Sequence, residues 1–128
     1  MILIGVNEAL DAETKIAFVK SIEAIEKTPA GSLIILTFNE NDLAFYANAR
    51  ILVAVIVKSL REFILLAATG AKYALAGFTL ANAAQKLADR YLYDIKVLAI
   101  VPERQIAKIA KRGIDGIFTK EAFDRLTR

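Results

Sequence analysis

The sequence predicts an α/β fold: repeated strand–helix units around a sheet of about six mostly parallel strands. Three observations support this. Short apolar runs alternate with amphipathic stretches along the chain. The hydrophobic fraction is 56%, above the usual share for a globular domain, as suits a sheet covered on both faces. The links between the runs are short, which favours strand–helix–strand crossovers and hence parallel, right-handed connections.

Residues 1–6 (MILIGV) read as the first strand. Residues 12–27 read as a helix, because Ile16, Val19, Ile22 and Ile25 recur at helical spacing with charges opposite. Asp11 suits its N-cap, and Thr28-Pro29-Ala30-Gly31 is a stop signal. Residues 32–38 (SLIILTF) form the second strand, and a short helix follows over about 40–49 with Asn39 as its cap. Residues 51–57 (ILVAVIV) are the clearest strand. They are β-branched and apolar, as a central strand buried on both faces should be. Ser59 can cap a helix over 60–69, which Gly70 ends in the left-handed position. Residues 72–78 are a fourth strand, and Thr79 caps a helix over 80–91 with Leu80, Ala83, Ala84, Leu87 and Tyr91 on its apolar face. Residues 95–101 are a fifth strand. Pro102, whose missing N–H costs nothing at a helix start, opens a helix to Lys111 that Gly113 ends. Residues 114–119 are a short sixth strand, and 121–126 a last helical turn or two.

At 128 residues the chain fits one α/β domain, residues 1–128. A closed βα barrel takes ~250 residues. The sheet is therefore expected to be an open doubly wound sheet, or a partial TIM-barrel-like sheet that hides its apolar edges in a homo-oligomer. Arg50, Lys58, Arg61, Glu62 and Lys72 interrupt the apolar middle, so no membrane span is expected. The first seven residues lack a signal-peptide core and a basic flank, so a cytoplasmic location is expected.

The chain has no cysteine and no histidine. Disulfides, thiolate catalysis and zinc–thiolate sites are excluded, as are Ser–His and Cys–His nucleophile pairs. Any metal would be a hard ion held by oxygen atoms. No dinucleotide or P-loop glycine pattern occurs, and no cofactor is expected. Net charge is +3. Arg104, Lys108, Lys111 and Arg112 lie opposite Ile106, Ile109 and Ala110, which reads as a solvated helix face, so no nucleic-acid partner is expected.

In parallel sheets ligands gather at the carboxyl ends of the strands. That rule selects a candidate ligand-binding rim of Asn7, Glu8, Thr37, Asn39, Lys58 and Ser59, continuing with Thr79, Glu103, Thr119 and Lys120. The helix starts at Asn39, Ser59 and Thr79 would favour an anion such as phosphate, although every such helix also needs a cap. Lys120 follows a strand end, where a lysine can reach across a pocket. Glu8 is a candidate acid–base group or a partner for a helix dipole. Asp115 in Gly113-Ile114-Asp115-Gly116 shapes a turn. No catalytic residue and no metal site is assigned.

Residues 96–101 (KVLAIV), Pro102-Glu103 and the segment GIDGIFTKEAFDRL resemble the end of glycerophosphodiester phosphodiesterases, which close with a strand, a helix and a Gly-Val-Asp-Gly-Ile-Ile-Thr-Asp-like strand. Residues 32–39 (SLIILTFN) with Leu43 are similar to that family's Ser-Phe-Asn-like strand and following helix, and residues 51–57 to its next strand. The resemblance lays the chain on the later three-quarters of a phosphate-binding barrel. The family's His-Arg-Gly segment and second histidine have no counterpart. Its Glu-x-Lys falls near Ile4-Gly5-Val6-Asn7, and its terminal Thr-Asp becomes Thr119-Lys120. No catalytic residue carries over, so the resemblance implies a shortened, inactive relative.

GIDGIFTKEAF is also similar to the Gly-Ala-x-x-Tyr-Leu-x-Lys region of response-regulator receivers, with Lys120 as their lysine. Gly77 and Phe78 stand where a phosphoacceptor aspartate would fall, and Glu40 and Asp42 would have to supply the acidic pair. This implies a degenerate receiver.

The combined expectation is a non-catalytic module that binds an anionic small molecule or acts as a homo-oligomer. The enzyme alternative is metal-dependent phosphodiester hydrolysis, with Glu8 and Glu103 on a cation and Lys58 or Lys120 steadying the phosphate. Strand order distinguishes barrel from receiver, because receivers have a 2-1-3-4-5 core.

Overall fold

A computed structural model describes residues 1–7 and 15–128. Its sheet has seven strands: β1 (Ile2–Ile4), β2 (Ile16–Phe18), β3 (Leu33–Thr37), β4 (Val53–Ile56), β5 (Tyr73–Ala76), β6 (Lys96–Val101) and β7 (Gly116–Thr119). Every neighbouring pair is parallel, and the order is β1-β7-β6-β5-β4-β3-β2. The sheet is curled but open, a half-barrel. The helices are α1 (Leu43–Asn48), α2 (Leu60–Ala68), α3 (Phe78–Tyr91), α4 (Ile106–Lys111) and α5 (Lys120–Thr127). Short 3-10 helices at Glu40–Asp42 and Glu103–Gln105 lead into α1 and α4. No helix among the described residues is long and apolar enough to cross a membrane.

The six expected strands are present and parallel. The helix expected over residues 12–27 is not: β2 and a 3-10 helix (Ile22–Lys27) take its place. Ile16 and Phe18 pack on one face of the sheet, while Ala17 and Val19 pack on the other. That alternation is the two-residue period of a strand. Ile22 and Ile25 then fall three apart, which is the 3-10 repeat. The two patterns joined end to end imitate a helical stripe. The expected cap Asp11 lies outside the described residues.

A second correction concerns Thr79. Helix α3 starts at Phe78, directly after an extended Gly77, so Thr79 sits in the first turn and is not the cap. Asn39 and Ser59 do cap: their side chains accept from Asn41 N and Glu62 N.

Side chains alternate between two apolar layers. Leu36, Val55, Ala74 and Val97 face the convex side and pack with α1 to α4. Leu33, Ile35, Leu75, Leu98 and Phe118 face the concave side. There they meet Ala122, Phe123 and Leu126 of α5. The last helix therefore lies on the opposite side of the sheet from the others. It packs against β7 and β6 and reaches β2.

The junction explains this. No loop separates β7 from α5. The fully buried Thr119 ends the strand and caps the helix, its Oγ1 accepting from Ala122 N (3.3 Å) and donating to Gly5 O (3.1 Å). Gly5 has φ +80°, and a Cβ there would collide with Thr119 and Ala122. Phe118 and Phe123 meet edge to face at 6.0 Å.

Gly116 permits a similar close approach at the other end of the β1–β7 pair, where it faces Ile2. A Cβ at that position would run into the Ile2 carbonyl and the Leu98 side chain. Gly116→Ala should lower stability by about 1–3 kcal/mol, the usual cost of overpacking a core. Urea denaturation followed by circular dichroism measures it, and an unchanged midpoint would contradict the close β1–β7 packing.

Candidate functional site

Helix α5 begins directly at the carboxyl end of β7 and packs against β7, β6 and β2. Thr119 belongs to its cap and offers nothing to a ligand. Lys120 does not reach across a pocket, because its Nζ bonds Asp124 at 2.9 and 3.2 Å, one turn along the same helix. Glu103 is exposed, and its N–H donates to Glu121 Oε2 of α5 at 3.3 Å. Asn7 is exposed at the end of β1, and Glu8 lies outside the described residues. Among the described residues, no group of three or more carboxylates is placed to hold a metal ion.

At the end of β5, Thr79 is exposed in the first turn of α3. Phe78 beside it carries two cations of α4 and its end: Lys108 Nζ lies 4.0 Å and Arg112 Cζ 6.0 Å from its ring centroid. Part of the basic face thus packs on an aromatic ring, a weakly stabilising arrangement.

At the end of β4 the helix start supplies its own anion. Ser59 accepts from Glu62 N at 3.1 Å, and Glu62 Oε1 accepts from Lys58 N at 2.9 Å. This is close to a capping box: it occupies the N–H groups of Glu62 and Lys58 and puts a carboxylate at the helix start, where a phosphate would otherwise bind.

The ends of β2 and β3 remain open. A groove of about 580 Å³ runs between them, the Glu40–Asp42 turn and the start of α2. Of the expected rim, Thr37 and Asn39 line it. Lys20 and Arg61 bring positive charge, while Glu23, Glu40, Asp42 and Glu62 bring negative charge. Arg61 pairs with Glu40 at 2.7 Å and ties α2 to the turn. Carboxylates outnumber cations, so an anion is disfavoured here and an amine is favoured.

Lys20, Ser21 and Glu23 escape the sequence reading because it places them on a continuous helix. Ser21 is the usable signal. With Lys20 it follows the four apolar residues 16–19 and is the N-cap residue of the 3-10 helix, as a turn after a strand would require.

Asp115 is structural, in a larger way than a turn. Its Oδ2 accepts from Val97 N at 2.9 Å, and its own N–H donates to Gln85 Oε1 at 2.9 Å. The buried Gln85 then donates to Asp89 at 3.0 Å. The start of β7 is thereby tied to β6 and α3.

Beneath the groove, the buried Tyr46 accepts from Asn39 N at 3.0 Å. Burial pushes its phenol above the usual tyrosine value. The Asn39 N–H opposes this, and the charges of Asp42 and Glu62 add to it. A phenol with a raised folded-state pKa stabilises the fold fully below the unfolded value, ~10, and loses that contribution as pH rises through the folded value. Ultraviolet titration should show one of the four tyrosines ionising last, and Tyr46→Phe should remove that step. A Tyr46→Phe profile that still contains the late step would contradict the assignment.

No protein-family profile matches the chain, and no curated protein matches it closely enough to count as a relative.

Proposed function

We propose that the chain is a non-catalytic α/β module of the βα-barrel type that binds a small polar, amine-bearing molecule without transforming it. The groove at the ends of β2 and β3 carries the reading. It lies where parallel βα sheets receive ligands, and Thr37 and Asn39 of the expected rim line it. Elsewhere on the described rim, Ser59 and Thr119 are occupied by capping and Lys120 by an ion pair.

The order of β2 to β7 in sequence, with β1 beside β7, supports descent from a phosphate-binding barrel over a receiver core. The groove's charge balance moves the ligand class away from the anion that such a barrel would take. An amine would meet Glu23 and Asp42, with the Thr37 hydroxyl and the Asn39 amide nitrogen, whose oxygen is used in capping, available to hydroxyl or carbonyl groups. Calorimetry against a panel of polar amines and inorganic phosphate tests this. Binding of an amine, weakened at least several-fold by Glu23→Gln with Asp42→Asn, is the expected result. Tight phosphate binding that ignores both substitutions would reverse it.

A second reading concerns assembly. β1 pairs only with β7 and β2 only with β3 among the described residues, so each leaves an edge. Open edges of a parallel sheet favour pairing with another chain. Light scattering at micromolar concentration is expected to give a multiple of the chain mass, and a monomeric mass would discard this reading.

A further inference from the structure

We propose that the amino end of the sheet is a docking face for an anionic lipid surface. Because all strands are parallel, every segment that leads into a strand lies at the same end of the molecule. Seven large apolar side chains are exposed among the described residues, and five of them are in such segments. Met1 precedes β1, Ile51 and Leu52 precede β4, and Tyr91 and Leu92 precede β6. Leu92 is 85% exposed, Tyr91 60% and Met1 58%. Single exposed apolar residues are ordinary, but their concentration at one end is not.

The charges follow the same geometry. Lys15, Arg50 and Lys72 immediately or nearly precede β2, β4 and β5, Lys96 opens β6, and all four are exposed. Lys27 and Arg90 offset the exposed Glu26 and Asp94. Asp89, hydrogen-bonded to Gln85, keeps its charge, but Lys15, Arg50, Lys72 and Lys96 outnumber it. Apolar tips rimmed by lysine and arginine match an interface of acyl chains beneath acidic headgroups.

Leu92 adds an independent observation. It ends α3 in the left-handed conformation, φ 55° and ψ 42°, where glycine or asparagine is the unstrained choice. A leucine held there, almost wholly in solvent, costs the fold and gives nothing back in packing.

A second copy of the chain fits this face poorly. Amino end against amino end sets like charges together. Amino end against carboxyl end presses leucine and isoleucine onto a groove lined by carboxylates. A bilayer with acidic headgroups satisfies the apolar and the basic groups at once.

The test is co-sedimentation of the full chain with vesicles of phosphatidylcholine, alone or mixed with phosphatidylglycerol. Binding to the mixed vesicles only, weakened by salt, is expected. Leu92→Asn should cut it about ten-fold while leaving the melting temperature unchanged or higher, since asparagine accepts the left-handed position. Lys72→Glu and Lys96→Glu should each cut it about five-fold or more. Failure to bind the mixed vesicles overturns the proposal. So does binding that Leu92→Asn leaves intact, which would mark a general polyanion surface. Self-association lost in Leu92→Asn, without vesicle binding, would assign the face to a second copy.

Discussion

Seven parallel strands curl enough to create a concave apolar face but do not close upon themselves. In a complete barrel the facing strands fill that space. Here a helix fills it. Ile35, Leu75, Leu98 and Phe118 are fully or almost fully buried, and α5 lays Ala122, Phe123 and Leu126 against their layer. Each large side chain so buried contributes roughly 1.5–3 kcal/mol. The arrangement turns on the contact of Thr119 with Gly5, where a strand becomes a helix without a loop and β1 must come close.

That solution governs what the rim can do. Because α5 starts directly at the end of β7, the polar side chains there are committed to a cap and an ion pair. The open groove is left at the far side, beside β2 and β3. Its chemistry is set by the short turn Glu40–Asp42 and by the first turn of α2, joined through Glu40 and Arg61. The buried Tyr46 supports the turn from below through Asn39.

Parallel topology also sorts chemistry between the two ends of the molecule. Residues that follow strands supply the groove, where four carboxylates outnumber Lys20 and Arg61. Residues that precede strands supply lysine, arginine and exposed apolar side chains. An antiparallel sheet would mix the two sets, because successive strands would present opposite ends.

The amino-acid sequence by itself determined the α/β class, six of the seven strands, their parallel course and the caps at Asn39 and Ser59. Those features are local: β-branched runs, short polar links and capping residues act over a few neighbours. The tertiary structure alone decided the rest. β2 becomes a strand because it can pair with β3, although its isoleucine spacing imitates a helix. Thr119 and Lys120 look like rim residues in sequence, yet the side taken by α5 makes one a cap and pairs the other with Asp124. The groove joins Lys20, Thr37 and Arg61 from three separate segments, and only the side-by-side pairing of β2, β3 and β4 brings them together.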